Sequence, residues 1–241
     1  MSPSPEDDIL QYKKMAAESA VDFVQSGMVV GLGHGTTAIL AVRKISAFIK
    51  SGQLSDIIGI PCSDYIEQEA RDLGIPIGTL IEYSSIDLTI DGADEIDQNL
   101  NLIKGGGGAL LQEKRVAKAS QREVIIADES KLSPQLGTNY PLPVEVEPNS
   151  WKSSEQYIVT LGAEVNLRRT EDKNIFKTDS GNFILDCNFG PIDDLEELAE
   201  NLERQTDIVE HGLFLNLATD VIVAGPHGIQ HLKAKLNNAK P

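Results

Sequence analysis

The strongest constraint on the fold is an alternation of short apolar runs with amphipathic stretches over the first two-thirds of the chain. Met28 to Leu32, Ile57 to Ile60, Ile86 to Ile90 and Val124 to Ala127 are too short for helices and read as buried strands. Ile9 to Gln25, Thr36 to Lys50, Asp64 to Leu73 and Gly108 to Ser120 carry apolar residues at helical spacing. Gly27 and Gly52 stand where the first two of these helices should stop. Strand–helix alternation predicts βαβ units, and hence an α/β fold with a Rossmann-like parallel sheet and helices on both faces.

Past Ser133 the rhythm breaks. Pro134, Pro141, Pro143 and Pro148 punctuate a stretch that cannot continue it. A helix near Ser150 to Leu161, a strand Glu164 to Arg168, a hairpin-like pair around Thr178 to Asn182 and a helix near Asp193 to Arg204 follow. This order predicts a smaller α+β domain, residues 137–210, inserted into a catalytic domain of residues 1–136 and 211–241. The tail resumes the earlier alternation with a strand Asp220 to Ala224, a turn Gly225-Pro226-His227-Gly228 and a last helix.

Charge narrows the partners. Against 21 Lys+Arg stand 37 Asp+Glu, a formal charge of −16. Nucleic acid and anionic lipid need clustered basic residues, so neither a nucleic-acid nor a membrane partner is expected. An anionic small molecule must then be held by a few local donors. Cys62 and Cys187 are too few for a disulfide framework, and Glu6, Asp7 and Asp8 stand where a targeting peptide would be basic or acid-poor. No apolar run approaches the roughly 18 residues needed to span a bilayer. A cytoplasmic location is expected.

Four polar or glycine-rich motifs follow the four predicted strands, so a parallel sheet brings them to its carboxyl edge. They are Gly31 to Thr37, Pro61-Cys62-Ser63, Asp91-Gly92-Ala93-Asp94 and Asp128-Glu129-Ser130-Lys131. The first fails as a dinucleotide fingerprint: position 36 is Thr rather than Gly, and the next strand does not end in an acid. It remains a glycine turn into a helix N-terminus with two hydroxyls, suited to a phosphate monoester. The plainer reading is a tight turn with Thr36 as N-cap.

A fifth motif, Lys104-Gly105-Gly106-Gly107-Gly108, precedes a predicted helix. Four glycines are entropically expensive to order, so close backbone approach or positive φ is the expected reason. Their N–H groups beside a lysine suit developing negative charge. Asp91 and Asp94 follow a buried strand, either as a structural capping pair or as working carboxylates. No acid spacing matches a calcium loop, and His34, His211, His227 and His231 show no metal-ligand spacing, so no metal is expected. Glu113, on the helix after the glycines, is not distinguished by sequence physics from Asp91 or Asp94 as a base.

In order and spacing, GLGHGTTA (31–38), DGADE (91–95), KGGGGALLQEK (104–114), DESK (128–131) and PLPVEV (141–146) resemble the signatures of the type A ribose-5-phosphate isomerases. TDSGNFILD (178–186) and EHGLF (210–214) resemble that family's later part, so the likeness spans nearly the whole chain.

The resemblance implies a cofactor-free aldose–ketose isomerase acting on a sugar phosphate in the non-oxidative pentose phosphate branch, as a homodimer or dimer of dimers. It makes Glu113 the general base. Asp91, Gly92, Ala93, Asp94, Lys104, Gly105, Gly106, Gly107 and Lys131 would line the site, with His34, Gly35, Thr36 and Thr37 at the phosphate or neighbouring hydroxyls. Asp91, Asp94 and Lys104 would share in the catalysis. The family usually carries Thr or Ser at position 34 and Thr at 62, where this chain has His34 and Cys62.

The implied chemistry suits these residue types. A carboxylate moves a proton from C2 to C1, and preorganised donors hold the enediolate oxygens. Asp91 or Asp94 would shuttle the proton that opens the furanose ring. The rivals are another sugar-phosphate isomerase, a CoA transferase using Glu113 as nucleophile, and a non-catalytic phosphosugar sensor.

Overall fold

The computed structural model describes residues 5–234. The chain first builds α1 (Pro5–Val21), β1 (Val29–Leu32), α2 (Ala38–Lys50), β2 (Ile58–Pro61), α3 (Asp64–Asp72) and β3 (Leu88–Asp91). Then come β4 (Glu95–Ile96), β5 (Leu102–Ile103), α4 (Leu110–Ala119), β6 (Glu123–Asp128) and β7 (Leu142–Val146). The remainder is α5 (Trp151–Thr160), β8 (Glu164–Leu167), β9 (Phe183–Asn188), α6 (Leu195–Glu203), β10 (Ile208–His211), β11 (Leu213–Phe214), β12 (Asp220–Gly225) and β13 (Gly228–Lys233).

Six strands form one sheet in the order β13-β12-β6-β3-β1-β2, with all but β13 parallel. Strand periodicity serves two cores at once. Val124 and Ile126 of β6 pack with α1, α2 and α3 on one face, while Ile125 and Ala127 face Ala117 of α4 on the other. That second face is completed by a three-stranded antiparallel sheet, β11-β5-β4, through Ile96, Leu102 and Phe214. Strand order reverses at β1, which has β2 on one side and β3 on the other. The crevice at the carboxyl ends of β1 and β3 is therefore the switch point where open α/β sheets take ligands.

A second, four-stranded antiparallel sheet has the order β10-β7-β9-β8. One face packs on α5 and α6, where Ile158, Leu198 and Leu202 meet Val144, Val146 and Leu185. Its inner strand β7 contains Pro143, which has no N–H to give the ladder. Gly212 N still donates to Pro143 O at 2.8 Å, but the Gly212 carbonyl is left for another donor and accepts from Lys104 N at 2.9 Å. The missing proline donor thus ties the small sheet to the start of the glycine run.

The same seam carries a buried cation. Lys114 of α4 donates from Nζ to Glu210 Oε1 at 2.6 Å and to the His211 carbonyl, both on β10. Phe214, fully buried, has Lys104 Nζ 5.5 Å and Lys114 Nζ 5.0 Å from its ring centroid.

Two expectations are corrected. The segment after the Gly225–Gly228 turn is the strand β13, not a helix; it pairs antiparallel with β12 from Gly225↔Gly228 onward. The two-residue turn sends the chain straight back, and β13 covers an edge that β12 would otherwise leave open. Residues 235–241 lie outside the described part. Thr178 to Asn182 is a turn rather than a hairpin pair: Gly181 N donates to Thr178 O, and the strand that follows, β9, pairs with β7 and β8. Among the described residues no helix is long and apolar enough to cross a membrane.

Candidate active site

Three of the four predicted loops meet at one point of the carboxyl edge; the fourth, Pro61-Cys62-Ser63, stands behind it, with Ser63 Oγ against His34. A cleft there is lined by His34, Gly35, Thr36 and Thr37 after β1, Gly92, Ala93 and Asp94 after β3, and Lys131 after β6. Lys104, Gly105, Gly106, Gly107 and Glu113 close it from the side of α4. Every residue expected at the site is at this cleft except Asp91, which lies fully buried beneath it.

Asp91 holds the floor together. Its Oδ1 accepts from His34 N at 3.0 Å and Gly92 N at 2.7 Å, and its Oδ2 lies 3.0 Å from Lys104 Nζ. This crowding explains Gly33: a Cβ there would stand 2.5 Å from the Asp91 Cα. Lys104 Nζ also donates to the Gly92 carbonyl at 2.6 Å and to Glu113 Oε1 at 3.0 Å. Glu113 Oε2 is buried with no hydrogen-bond partner.

One ammonium thus serves two buried carboxylates. Burial alone would discharge Lys104, but Asp91 and Glu113 hold its pKa above the ordinary lysine value. Burial pushes the Glu113 carboxyl up to about 8; Lys104 opposes the rise and Asp91 adds to it. A carboxyl poised near neutral pH, with one oxygen unengaged at a cleft, can accept a proton from a bound ligand.

The glycine run has the reasons its entropy cost demands. Gly105 and Gly108 have φ of +104° and +88°. A Cβ on Gly106 would lie 2.6 Å from Asp94 Oδ1 and from the Tyr140 hydroxyl, and one on Gly107 would lie 2.5 Å from His34 Nε2. Asp94 Oδ2 accepts from Gly106 N at 2.7 Å, so this carboxylate faces the cleft while steadying the loop.

At the opposite wall, α2 begins at Ala38 with Thr37 as N-cap and no side-chain cap bond. Thr36 is not the cap; its Oγ1 accepts from Lys13 Nζ at 3.0 Å. Lys13 lines the cleft from α1, a placement that the motifs do not reveal. A signal exists in the sequence all the same: Lys13 lies on the stripe shared with the buried Ala16, Ala17, Ala20 and Val21, where a lysine is unusual. Lys131 reaches the rim because Asp128 caps the short turn Glu129–Lys131, accepting from Ser130 N at 3.1 Å.

His34 is a strut within the wall. Its Nδ1 lies 2.8 Å from Ser63 Oγ, which in turn caps α3 by accepting from Ile66 N at 3.2 Å. Burial keeps its pKa below the ordinary histidine value, so the ring is neutral at pH 7. Cys62 does not line the cleft but is buried in a core with Ile60, Ile86 and Val116, and burial drives its thiol pKa well up. Among the described residues no group of three or more His, Cys, Asp or Glu side chains is placed to hold a metal.

Comparison with known proteins shows the family. Residues 58–228 match the family of ribose 5-phosphate isomerase A (phosphoriboisomerase A). The chain is 53% identical to ribose-5-phosphate isomerase A of Chloroflexus aurantiacus over 220 residues, covering 91% of this chain and 92% of that protein. It is 52% identical to the Desulfatibacillum aliphaticivorans protein of the same name over 222 residues, covering 92% and 96%.

Solved structures agree. A D-ribose-5-phosphate isomerase in complex with phospho-erythronic acid superposes with a TM-score of 0.91 at 37% identity, covering 93% of this chain and 99% of that one. The Plasmodium falciparum ribose 5-phosphate isomerase gives 0.91 at 40%, covering 94% and 99%. With its fold and most of its length in common with these proteins, the chain belongs to the ribose 5-phosphate isomerase A family.

Proposed function

We propose that this chain interconverts D-ribose 5-phosphate and D-ribulose 5-phosphate through an enediolate, with Glu113 as the general base. The observation that carries this reading is the Glu113 carboxyl: buried, raised in pKa, one oxygen on Lys104 and the other unengaged. Lys13, Thr36, Thr37 and the start of α2 form the phosphate end, since their donors gather at one wall of the cleft.

With the open-chain aldose bound, Glu113 removes the C2 proton. The electron pair moves into a C1–C2 double bond, and the carbonyl oxygen becomes an oxyanion beside Lys104 and the glycine N–H groups. Glu113 then returns the proton to C1 while the C2 hydroxyl proton passes to the O1 side, giving the ketose. Of the two aspartates, Asp94 faces the cleft and is the one to move the proton that opens the furanose ring. Asp91 is occupied by two backbone N–H groups and Lys104, and acts by holding that ammonium in place. Phospho-erythronic acid, bound by a solved relative, carries a carboxylate whose two oxygens share the negative charge much as the two oxygens of an enediolate would.

The direct test is to incubate the purified protein with ribose 5-phosphate and follow ketose formation. Turnover by the wild type with loss in Glu113→Gln supports the reading; an inactive wild type refutes it.

A further inference from the structure

The glycine run carries no side chains to restrict it, so its geometry is imposed from outside. The largest external hold comes from the small antiparallel sheet. Arg168, just past β8, donates from Nη1 to the carbonyls of Gly105 at 2.8 Å and Gly106 at 3.1 Å. The rest of the guanidinium is gripped by Asp186 of β9, through Nε to Oδ2 at 3.0 Å and through Nη2 to Oδ1. The pair is mostly shielded, with side chains 12% and 25% exposed. Arg168 also lies over the ring of Phe176, which itself packs against Gly108.

The consequence follows from peptide geometry. Across a trans peptide, the C=O of one residue and the N–H of the next point in opposite directions; none of the described bonds is cis. Holding the Gly105 carbonyl on Arg168 therefore presents Gly106 N–H to the other side, where it meets Asp94 Oδ2 at 2.7 Å. Holding the Gly106 carbonyl in the same way turns Gly107 N–H away from Arg168, and Gly107 lines the cleft. Arg168 itself is not part of the cleft lining. A forked, planar cation can engage two carbonyls and both oxygens of a carboxylate together, four bonds where an ammonium has only three donors.

We propose that Arg168, braced by Asp186, is a positioning residue that orients the Gly106–Gly107 peptide so that Gly107 N–H faces the oxyanion formed at the sugar carbonyl. The inference rests on the isomerase reading above. Its partner is the transition state rather than the phosphate, and this sets the test.

For wild type, Arg168→Ala, Arg168→Lys and Asp186→Asn, five quantities are measured. They are kcat and KM for ribose 5-phosphate, the inhibition constants of phospho-erythronic acid and of inorganic phosphate, and the melting midpoint. Loss of one preorganised donor lowers kcat by about 10² to 10³, so an indirect loss through Arg168→Ala should lower it about 10- to 100-fold. The inhibition constant of phospho-erythronic acid should rise about tenfold, while KM and that of phosphate stay within about threefold. Arg168→Lys recovers only part, and Asp186→Asn shows the same pattern more weakly.

A folded Arg168→Ala with kcat near wild type overturns the proposal. So does equal loss of affinity for both inhibitors, which would mean general damage to the cleft. If Arg168→Ala fails to fold, Asp186→Asn decides: selective weakening of phospho-erythronic acid supports the proposal, and unchanged kcat and inhibition overturn it. An inactive wild type removes the isomerase reading and this inference together, whereas an active wild type with unaffected variants removes only this inference.

Discussion

Lys104 Nζ lies 3.0 Å from Glu113 Oε1, and both side chains are at most 5% exposed. A buried ammonium this deep is stabilised because its other faces are occupied, by Gly92 O and Asp91. The arrangement keeps a carboxylate out of water yet leaves it one site at which to take a proton.

Glu113→Gln keeps the shape and the bond to Lys104 but cannot accept a proton. Losing a general base lowers kcat by about 10² to 10⁴, with KM for ribose 5-phosphate little changed. Steady-state kinetics of the folded variant check this, and near-normal turnover would remove Glu113 from the mechanism.

The pKa of Glu113, pushed up to about 8 from an ordinary 4.5, has two consequences of defined sign. Activity needs the ionised form, so kcat/KM should rise with pH along a limb well above the usual carboxylate range. Stability runs the other way. A carboxyl whose pKa is raised on folding favours the native state fully below the unfolded value and loses that contribution as pH rises toward the folded one. Melting midpoints from pH 5 to 8 should therefore depend less on pH in Glu113→Gln than in wild type.

Lys13 should matter to phosphate and little to proton transfer. Lys13→Ala is expected to raise KM for ribose 5-phosphate and the inhibition constant of inorganic phosphate together, each about tenfold, as loss of a charge-assisted contact of roughly 1.5 kcal/mol would give. A fall in kcat with unchanged phosphate inhibition would contradict this placement.

A methyl group at position 107 would lie 2.5 Å from His34 Nε2. Gly107→Ala should displace the imidazole from Ser63 and lower kcat/KM at least tenfold, a loss of about 1.4 kcal/mol or more. The double variant Gly107→Ala/His34→Thr relieves the clash and should recover part of the loss, because the two sites are in direct contact. Simple additivity would show that the clash is not the cause.

Much of this is readable in the chain because it depends on local patterns. Val124 to Ala127 reads as a buried strand from its composition, and the loops after parallel strands must share an edge. What is not readable is set by distant partners. β13 looks helical until the turn at Gly225–Gly228 returns it onto β12. Asp91 and Asp94 are equivalent in sequence, and only the fold buries one under Lys104 and leaves the other at the cleft. Arg168 stands in an unremarkable Arg168-Arg169 pair, yet reaches the glycine loop more than sixty positions earlier. Glu113 itself is distinguished by family resemblance, not by its local context, because its burial and raised pKa exist only once Lys104 and Asp91 surround it.

The central claim is proton transfer through an enediolate with Glu113 as the shuttle, and isotope exchange tests it most directly. In D₂O the wild type should place deuterium at C1 of ribulose 5-phosphate and at C2 of recovered ribose 5-phosphate, as followed by NMR, and Glu113→Gln should place none above the uncatalysed rate. Exchange by Glu113→Gln at the wild-type rate, or complete internal transfer of the C2 hydrogen by the wild type with no solvent label, would contradict it.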